Sequence, residues 1–292
     1  MFRSYQSPIP RSGGSAVPGL LPPQSSMLDV EFTQLSDCGR VRQHNEDYLG
    51  CSLPETPAEA HSRGWMFALA DGVGGQAQGE VASRAAVECL VSGFRASAGG
   101  ELLTDLLPRL IQEANAHVYE TGLAAGPAGA GMSTTVVACG LRFNRAVVSH
   151  VGDSRCYLLR SGRATALTRD HTVLAEQARL GLLSPSEAAE STTRHVLSRS
   201  LGSNLFVSVE TSDHQVLRGD VLLLCSDGLH GAVTASDMAH TVSHSADLKS
   251  AAEKLVALAN QRDGSDNISL QLIRVREVER IGMYRGRPYK LR

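Results

Sequence analysis

The chain has no apolar stretch near the length of a membrane span, so a helical membrane protein is not expected. Neither sign of charge dominates. With 28 basic and 30 acidic residues the formal net charge is -2, which gives no electrostatic reason to expect nucleic acid as a partner. The six cysteines (Cys38, Cys51, Cys89, Cys139, Cys156 and Cys225) are scattered and form no Cys-x-x-Cys pair. A zinc site is therefore not expected, whereas free thiols in a reducing cytoplasm are. The glycines follow neither Gly-x-x-x-x-Gly-Lys nor the dinucleotide spacing, which excludes the usual nucleotide-binding loops. The first residues hold one early Arg and no apolar core, unlike a secretory signal.

What the chain has is an ordinary apolar fraction, 42% of 292 residues, enough for a core in one large domain or two small ones. Residues 1–27 are rich in Pro, Ser and Gly and read as a flexible leader. Strand-like apolar runs fall at 65–70, 133–141, 146–151, 156–160, 221–225 and 268–275. Helical periodicity marks 80–96, 101–121, 173–180, 184–189 and 246–260, with Pro108 placed to kink the second. Strands in runs separated by helical blocks favour an α+β fold over a regularly alternating one. Residues 280–292 carry five basic residues and no acid, and read as a solvated basic tail.

Four aspartates close the apolar runs or sit in glycine turns near them. They are Asp71 in Asp71-Gly-Val-Gly-Gly75, Asp153 in Val151-Gly-Asp-Ser-Arg155, Asp227 in Ser226-Asp-Gly-Leu229 and Asp266 in Gly264-Ser-Asp-Asn267. A carboxylate at the end of a buried strand is costly unless a positive group pairs with it, and like charges cannot satisfy one another. Hard divalent cations resolve this, because they take oxygen ligands from carboxylates, carbonyls and water. Glycine lets the backbone approach a ligand closely, so the Gly72 carbonyl is a further candidate ligand. Two divalent ions can activate a bridging water and clamp a phosphoryl group. Asp71 is the natural bridging carboxylate, with Asp227 and Asp266 holding one ion. Arg42-Gln-His-Asn-Glu-Asp47 adds a guanidinium whose planar fork matches phosphate oxygens.

These motifs resemble a known family. Arg42-x-x-Asn-Glu-Asp47, Asp71-Gly-Val-Gly-Gly75, Gly131-Met-Ser-Thr-Thr135, Val151-Gly-Asp-Ser-Arg155, Ser226-Asp-Gly-Leu229 and Asp266-Asn267 follow the order of the metal-dependent protein phosphatases, 2C type, in their shorter bacterial form. The likeness runs from about residue 32 to residue 275. It implies a four-layer α-β-β-α sandwich, two antiparallel sheets flanked by helices, over a catalytic domain at 28–277 with a flap at about 168–200. It implies hydrolysis of phosphoserine and phosphothreonine by a hydroxide bridging two Mn²⁺ or Mg²⁺ ions. Asp71 would bridge the metals, the Gly72 carbonyl would ligate one, and Asp227 and Asp266 would complete the first site. Glu46 and Asp47 would act largely through bound waters. Arg42 would hold the substrate phosphate, and Asp153 would take a weaker third ion. The implied partners are phosphorylated proteins, among them a serine/threonine kinase and its substrates, met by a cytoplasmic monomer.

One departure from the family stands out. Some members carry His directly after Asp-Gly, where this chain has Val73. A metal-bound water could supply the proton, and His44 and His171, which lie near relevant motifs, read first as ordinary polar histidines and only second as donors. Two rival readings differ in class. Cys89-x₅-Arg95 and Cys139-x₅-Arg145 fit a bare cysteine-phosphatase spacing, but neither lies in a context that lowers a thiol pKa. A module that only recognises phosphorylated partners would show degenerate metal ligands, and all the expected carboxylates are present.

Overall fold

The apolar runs become strands whose alternate residues feed two different cores. In the computed structural model, which describes residues 3–5, 27–73, 77–129, 131–182, 196–279, 281–284 and 287–290, strand β4 (Trp65–Val73) is buried along nearly its whole length. Met66, Ala68 and Ala70 point to one side, and Phe67 and Leu69 to the other. The two-residue period of a strand dictates this split.

Two antiparallel sheets result. The first has the order β1-β2-β12-β11-β8-β9, built from Arg3–Tyr5, Asp29–Asp37, Ile268–Glu277, Val221–Cys225, Arg155–Arg160 and Arg163–Ala166. The second has the order β10-β7-β6-β4-β3, built from Glu210–Gln215, Arg145–Val151, Val136–Arg142, β4 and Asp47–Ser52, with the short β5 (Ser133–Thr134) also pairing β4. Phe67, Leu69, Val137 and Cys139 of the second sheet meet Phe32, Leu222, Leu224 and Ile273 of the first in a core between the sheets.

Helices cover both outer faces. Helix α1 (Pro57–Ser62) is a single short turn capped by Thr56. Helices α2 (Ala77–Ala96) and α3 (Leu103–Ala124) lie on the second sheet, burying Ala82, Ala86, Leu90 and Phe94 from α2 and Leu107, Leu110, Ile111 and Ala114 from α3. These three- and four-residue spacings place one apolar stripe against the sheet. Helix α4 (Val173–Arg179) follows β9, and α5 (Asp227–His230) follows β11. Helices α6 (Ala235–Ser243) and α7 (Leu248–Arg262) cover the first sheet with Met238, Val242, Ala251 and Leu255. The molecule is thus the four-layer α-β-β-α sandwich of an α+β fold.

Several local expectations shift. The run expected at 65–70 extends through Asp71 to Val73, because Gly72 and Val73 pair with Thr134 and Ser133. Asp71 therefore lies inside a strand rather than beyond its end. The run expected at 133–141 divides at Thr135, whose N–H donates to the Asp71 carbonyl at 2.8 Å. Helix α3 continues unbroken through Pro108, with Leu106, Leu107 and Leu110 buried around it. In the leader, residues 3–5 add an edge strand beside β2, while the rest up to residue 26 lies outside the described residues. In the basic tail, β13 (Ile281–Tyr284) and β14 (Arg287–Lys290) pair as a hairpin. Of the flap, 168–182 and 196–200 are described; the helix expected at 184–189 lies outside the described residues.

Candidate metal centre

Sheet register places two of the acids side by side, since Asp47 of β3 pairs with Asp71 of β4. The other carboxylates arrive from turns. Asp227 opens α5 directly after the buried strand β11. Asp266 precedes β12, and Asp153 stands in the turn between β7 and β8. A cleft of about 1010 Å³ is lined by Arg42, Glu46, Asp71, Gly72, Asp153, Asp227 and Asp266, together with Arg155, Asp170 and His230. Eight residues were expected at the site from sequence. Seven of them line this cleft, and the eighth, Asp47, lies buried beside Asp71.

Hydrogen bonds fix the loops that carry these groups. Asn267 ties the Arg42 loop to the Asp266 turn: its Nδ2 donates to the carbonyls of Cys38 and His44, each at 3.0 Å, and its Oδ1 accepts from Glu46 N–H at 2.8 Å. Ser226 Oγ donates to Asp47 Oδ2 at 2.8 Å. The other oxygen, Asp47 Oδ1, is buried and has no hydrogen-bond partner among the described residues. Gly72 packs so closely on the start of α2 that a Cβ there would sit 2.2 Å from the Gly79 carbonyl oxygen. Gly152 adopts φ +105°, and a Cβ on it would meet the Thr135 side chain at 2.6 Å.

Electrostatics show how strongly the acids feel one another. Burial, then Asp47, Asp227, Asp153 and Asp266 in turn, push the Asp71 carboxyl well above the ordinary carboxylate range. Burial chiefly, against donors on Ser269 and Ser226, pushes Asp47 up to about 7. Burial and then Asp227 push Asp153 up to about 7. Glu46 is also raised, first by burial. A basic group does pair with one of these acids: Arg42 NH2 donates to Asp266 Oδ2 at 2.8 Å. No three of the carboxylates bring oxygens within 4.8 Å of one another among the described residues. Such a set of mutually repelling acids, one with an orphaned buried oxygen, fits hard divalent cations, which take oxygen ligands.

A different trio does cluster. Ligand atoms of His150, His171 and Glu210 lie within 4.8 Å of one another. The hydrogen bonds read this trio as a latch rather than a ligand set. Gly152 N–H donates to His171 Nδ1 at 3.2 Å, which puts the His171 proton on Nε2, and Nε2 donates to Glu210 Oε2 at 3.3 Å. A nitrogen that carries a proton does not ligate a metal. Burial, then His150, pushes His171 down to about 4, so it stays neutral.

Neither of the two histidines weighed as proton donors lines the cleft. His171 is buried and turned toward Glu210. His44 is exposed and does not line the cleft, whereas His230, which sequence reasoning passed over, does. Its Nε2 donates to the Asp153 carbonyl at 3.0 Å, and burial pushes it down to about 4. The Ser-Asp-Gly-Leu-His run held the signal, since a helix opening at Asp227 carries His230 back toward the turn of Asp153. Asp170, also passed over, grips Arg155 through two bonds of 2.7 and 2.6 Å. The cysteine rivals fare poorly: Cys89 lies inside α2 with its thiol pushed up by burial, and Cys139 is buried in β6.

Comparison with known proteins follows the same line. Residues 38–272 match the family described as protein phosphatase 2C. The serine/threonine phosphatase Stp of Listeria innocua is 33% identical over 266 residues, covering 89% of this chain and 99% of that protein. The solved serine/threonine phosphatase of S. agalactiae superposes with a TM-score of 0.77 at 30% identity, covering 84% of this chain and 99% of that one. The catalytic domain of the serine/threonine phosphatase PstP, solved with two manganese ions, gives a TM-score of 0.72 at 31% identity, with 86% and 99% covered.

Proposed function

The chain belongs to the protein phosphatase 2C family, and from that premise we propose that it hydrolyses phosphoserine and phosphothreonine in proteins with Mn²⁺ or Mg²⁺. The observation that carries the reading is the convergence of Asp71, Asp153, Asp227 and Asp266 on one cleft that Arg42 also lines, with Asp47 buried beside Asp71. Asp71, the Gly72 carbonyl, Asp227 and Asp266 would hold two ions, with Glu46 and Asp47 acting largely through water and Asp153 taking a weaker third. Bound there, such ions would supply a water nucleophile near neutral pH and would offset charge on the phosphoryl oxygens.

The chain's own residues supply binding and orientation. Arg42 gives one NH group to Asp266 and lines the cleft with the rest of its fork, where it would meet phosphate oxygens. Asn267 fixes the loop that carries Arg42 and Glu46 against the Asp266 turn, so the phosphate anchor and the acids keep one spacing. Val73 offers no proton, His171 faces Glu210, and the His230 Nε2 proton is held by the Asp153 carbonyl. Protonation of the departing alkoxide then falls to solvent in the cleft.

The proposal extends to partners and compartment. Phosphorylated proteins, including a serine/threonine kinase and its substrates, are the expected targets of a monomeric, cytoplasmic enzyme. All six cysteines are free thiols, as a reducing compartment requires. The reading takes the catalytic unit as 28–277, between a leader and a basic tail. The test is turnover of a phosphothreonine peptide with Mn²⁺. Activity should vanish on chelation and return with added Mn²⁺. Tight binding of the peptide without turnover would instead favour a recognition module.

A further inference from the structure

The turn that presents Asp153 is held from several sides at once. The Thr135 side chain packs on Gly152, and Thr135 Oγ1 lies 2.7 Å from Ser154 Oγ. His230 Nε2 donates to the Asp153 carbonyl at 3.0 Å. Both backbone groups of Gly152 are taken by one residue: His171 N–H donates to the Gly152 carbonyl at 3.0 Å, and Gly152 N–H donates to His171 Nδ1 at 3.2 Å. One residue earlier, Asp170 takes Arg155 through two bonds. Asp170 and His171 therefore grip the residues on either side of Asp153. They also open the segment that leads into α4. There, Thr172 caps the helix, Ser198 N–H donates to the His171 carbonyl at 2.9 Å, and Val173 N–H donates to the Val196 carbonyl at 2.8 Å.

We propose that His171 is a positioning residue for the Asp153 carboxylate, acting through Nδ1 on Gly152 N–H, and so sets the affinity of the weak divalent-cation site there. This rests on the reading of Asp153 as a metal ligand. A glycine at φ +105° next to the ligand has two backbone groups that fix the turn's orientation, and both end on His171. Groups that orient a ligand without touching the metal change metal affinity about 10- to 100-fold when removed. The Glu210 contact on Nε2 fixes the ring's tautomer and leaves Nδ1 as the acceptor.

The two ring nitrogens can be separated by substitution. Asparagine places an acceptor oxygen near the position of Nδ1, and glutamine reaches the position of Nε2. Binding of Mn²⁺ alone to the full chain, followed by electron paramagnetic resonance of the free ion, gives the number and strength of sites without reference to activity. Asp153→Asn identifies the weak step by removing it. His171→Asn should keep that step within about threefold of the parent, whereas His171→Gln and His171→Ala should weaken it about tenfold or more. Thermal unfolding checks that each variant is folded, and the Asn and Gln pair suffices if the Ala variant does not fold. The proposal is overturned if Gln preserves the weak step and Asn loses it, or if all three variants bind like the parent. An unchanged isotherm for Asp153→Asn would instead remove the metal-ligand reading on which the proposal stands.

Discussion

In the metal-free protein the Asp153 carboxylate should be a liability that grows with pH. Burial and then Asp227 raise it to about 7 from the ordinary 3.8. A raised carboxyl stabilises the folded state while protonated, and that contribution is lost as pH rises from about 4 through about 7. Three decades of pKa at 1.36 kcal/mol each correspond to about 4 kcal/mol once the group is ionised. Relative to a neutral side chain, the penalty is about 2 kcal/mol at about pH 5 and about 4 kcal/mol at about pH 8. Asp153→Asn keeps the backbone carbonyl that His230 uses and removes the charge. With a chelator present, the variant should melt higher than the parent, by about 5 °C at about pH 5 and about 10 °C at about pH 8, at roughly 2–4 °C per kcal/mol for a chain of this size. Saturating Mn²⁺ should shrink or reverse the gap, because the ion is stabilised by the charge the variant lacks. An equal gap at both pH values, or a variant that melts lower at the higher pH without metal, would refute the reasoning.

Other expectations follow from the same site. Asp227→Ala should abolish phosphothreonine hydrolysis while circular dichroism shows an intact fold, and full turnover in that variant would remove Asp227 from the metal centre. Arg42→Ala should raise KM for a phosphopeptide about 10- to 100-fold, the range for a lost charge-assisted bond, with a smaller change in kcat. His171 is held near 4 by burial and His150, with Arg199 also opposing its charge and Glu210 favouring it. A lowered His pKa gives stability present above about 6.5 and lost as pH falls toward about 4, so His171→Asn should gain about 2 kcal/mol on the parent across that window in chelator-treated thermal melts.

The sequence made the acids legible because each sits where an apolar run meets glycine, a juxtaposition that physical chemistry penalises without a cation. Asp71, Asp227 and Asp266 stand out in this way, and the apolar runs that lead into Asp71 and Asp227 form the expected strands. What was not legible depended on contacts between distant segments. The pairing of Gly72 and Val73 with β5 draws Asp71 inside β4, and only tertiary packing decides that. Helix α6 escaped notice although Thr234 and Asp237 form a full capping box, since nine residues give little periodicity. The grip of Asp170 and His171 on the Asp153 turn could not be read locally, because each partner reads as an ordinary polar residue until the chain folds back. Asn267 is the cross-brace between the two halves of the site, a role set by contacts with the distant 38–46 segment.

The central claim is that these acids form a cage for divalent cations that work together on phosphate. Crystals grown with Mn²⁺ and measured at the manganese absorption edge test it most directly. The account predicts two strong anomalous peaks sharing Asp71, with Asp227 and Asp266 on one of them. Manganese bound only outside this cleft, in a preparation that still hydrolyses a phosphothreonine peptide, would contradict it.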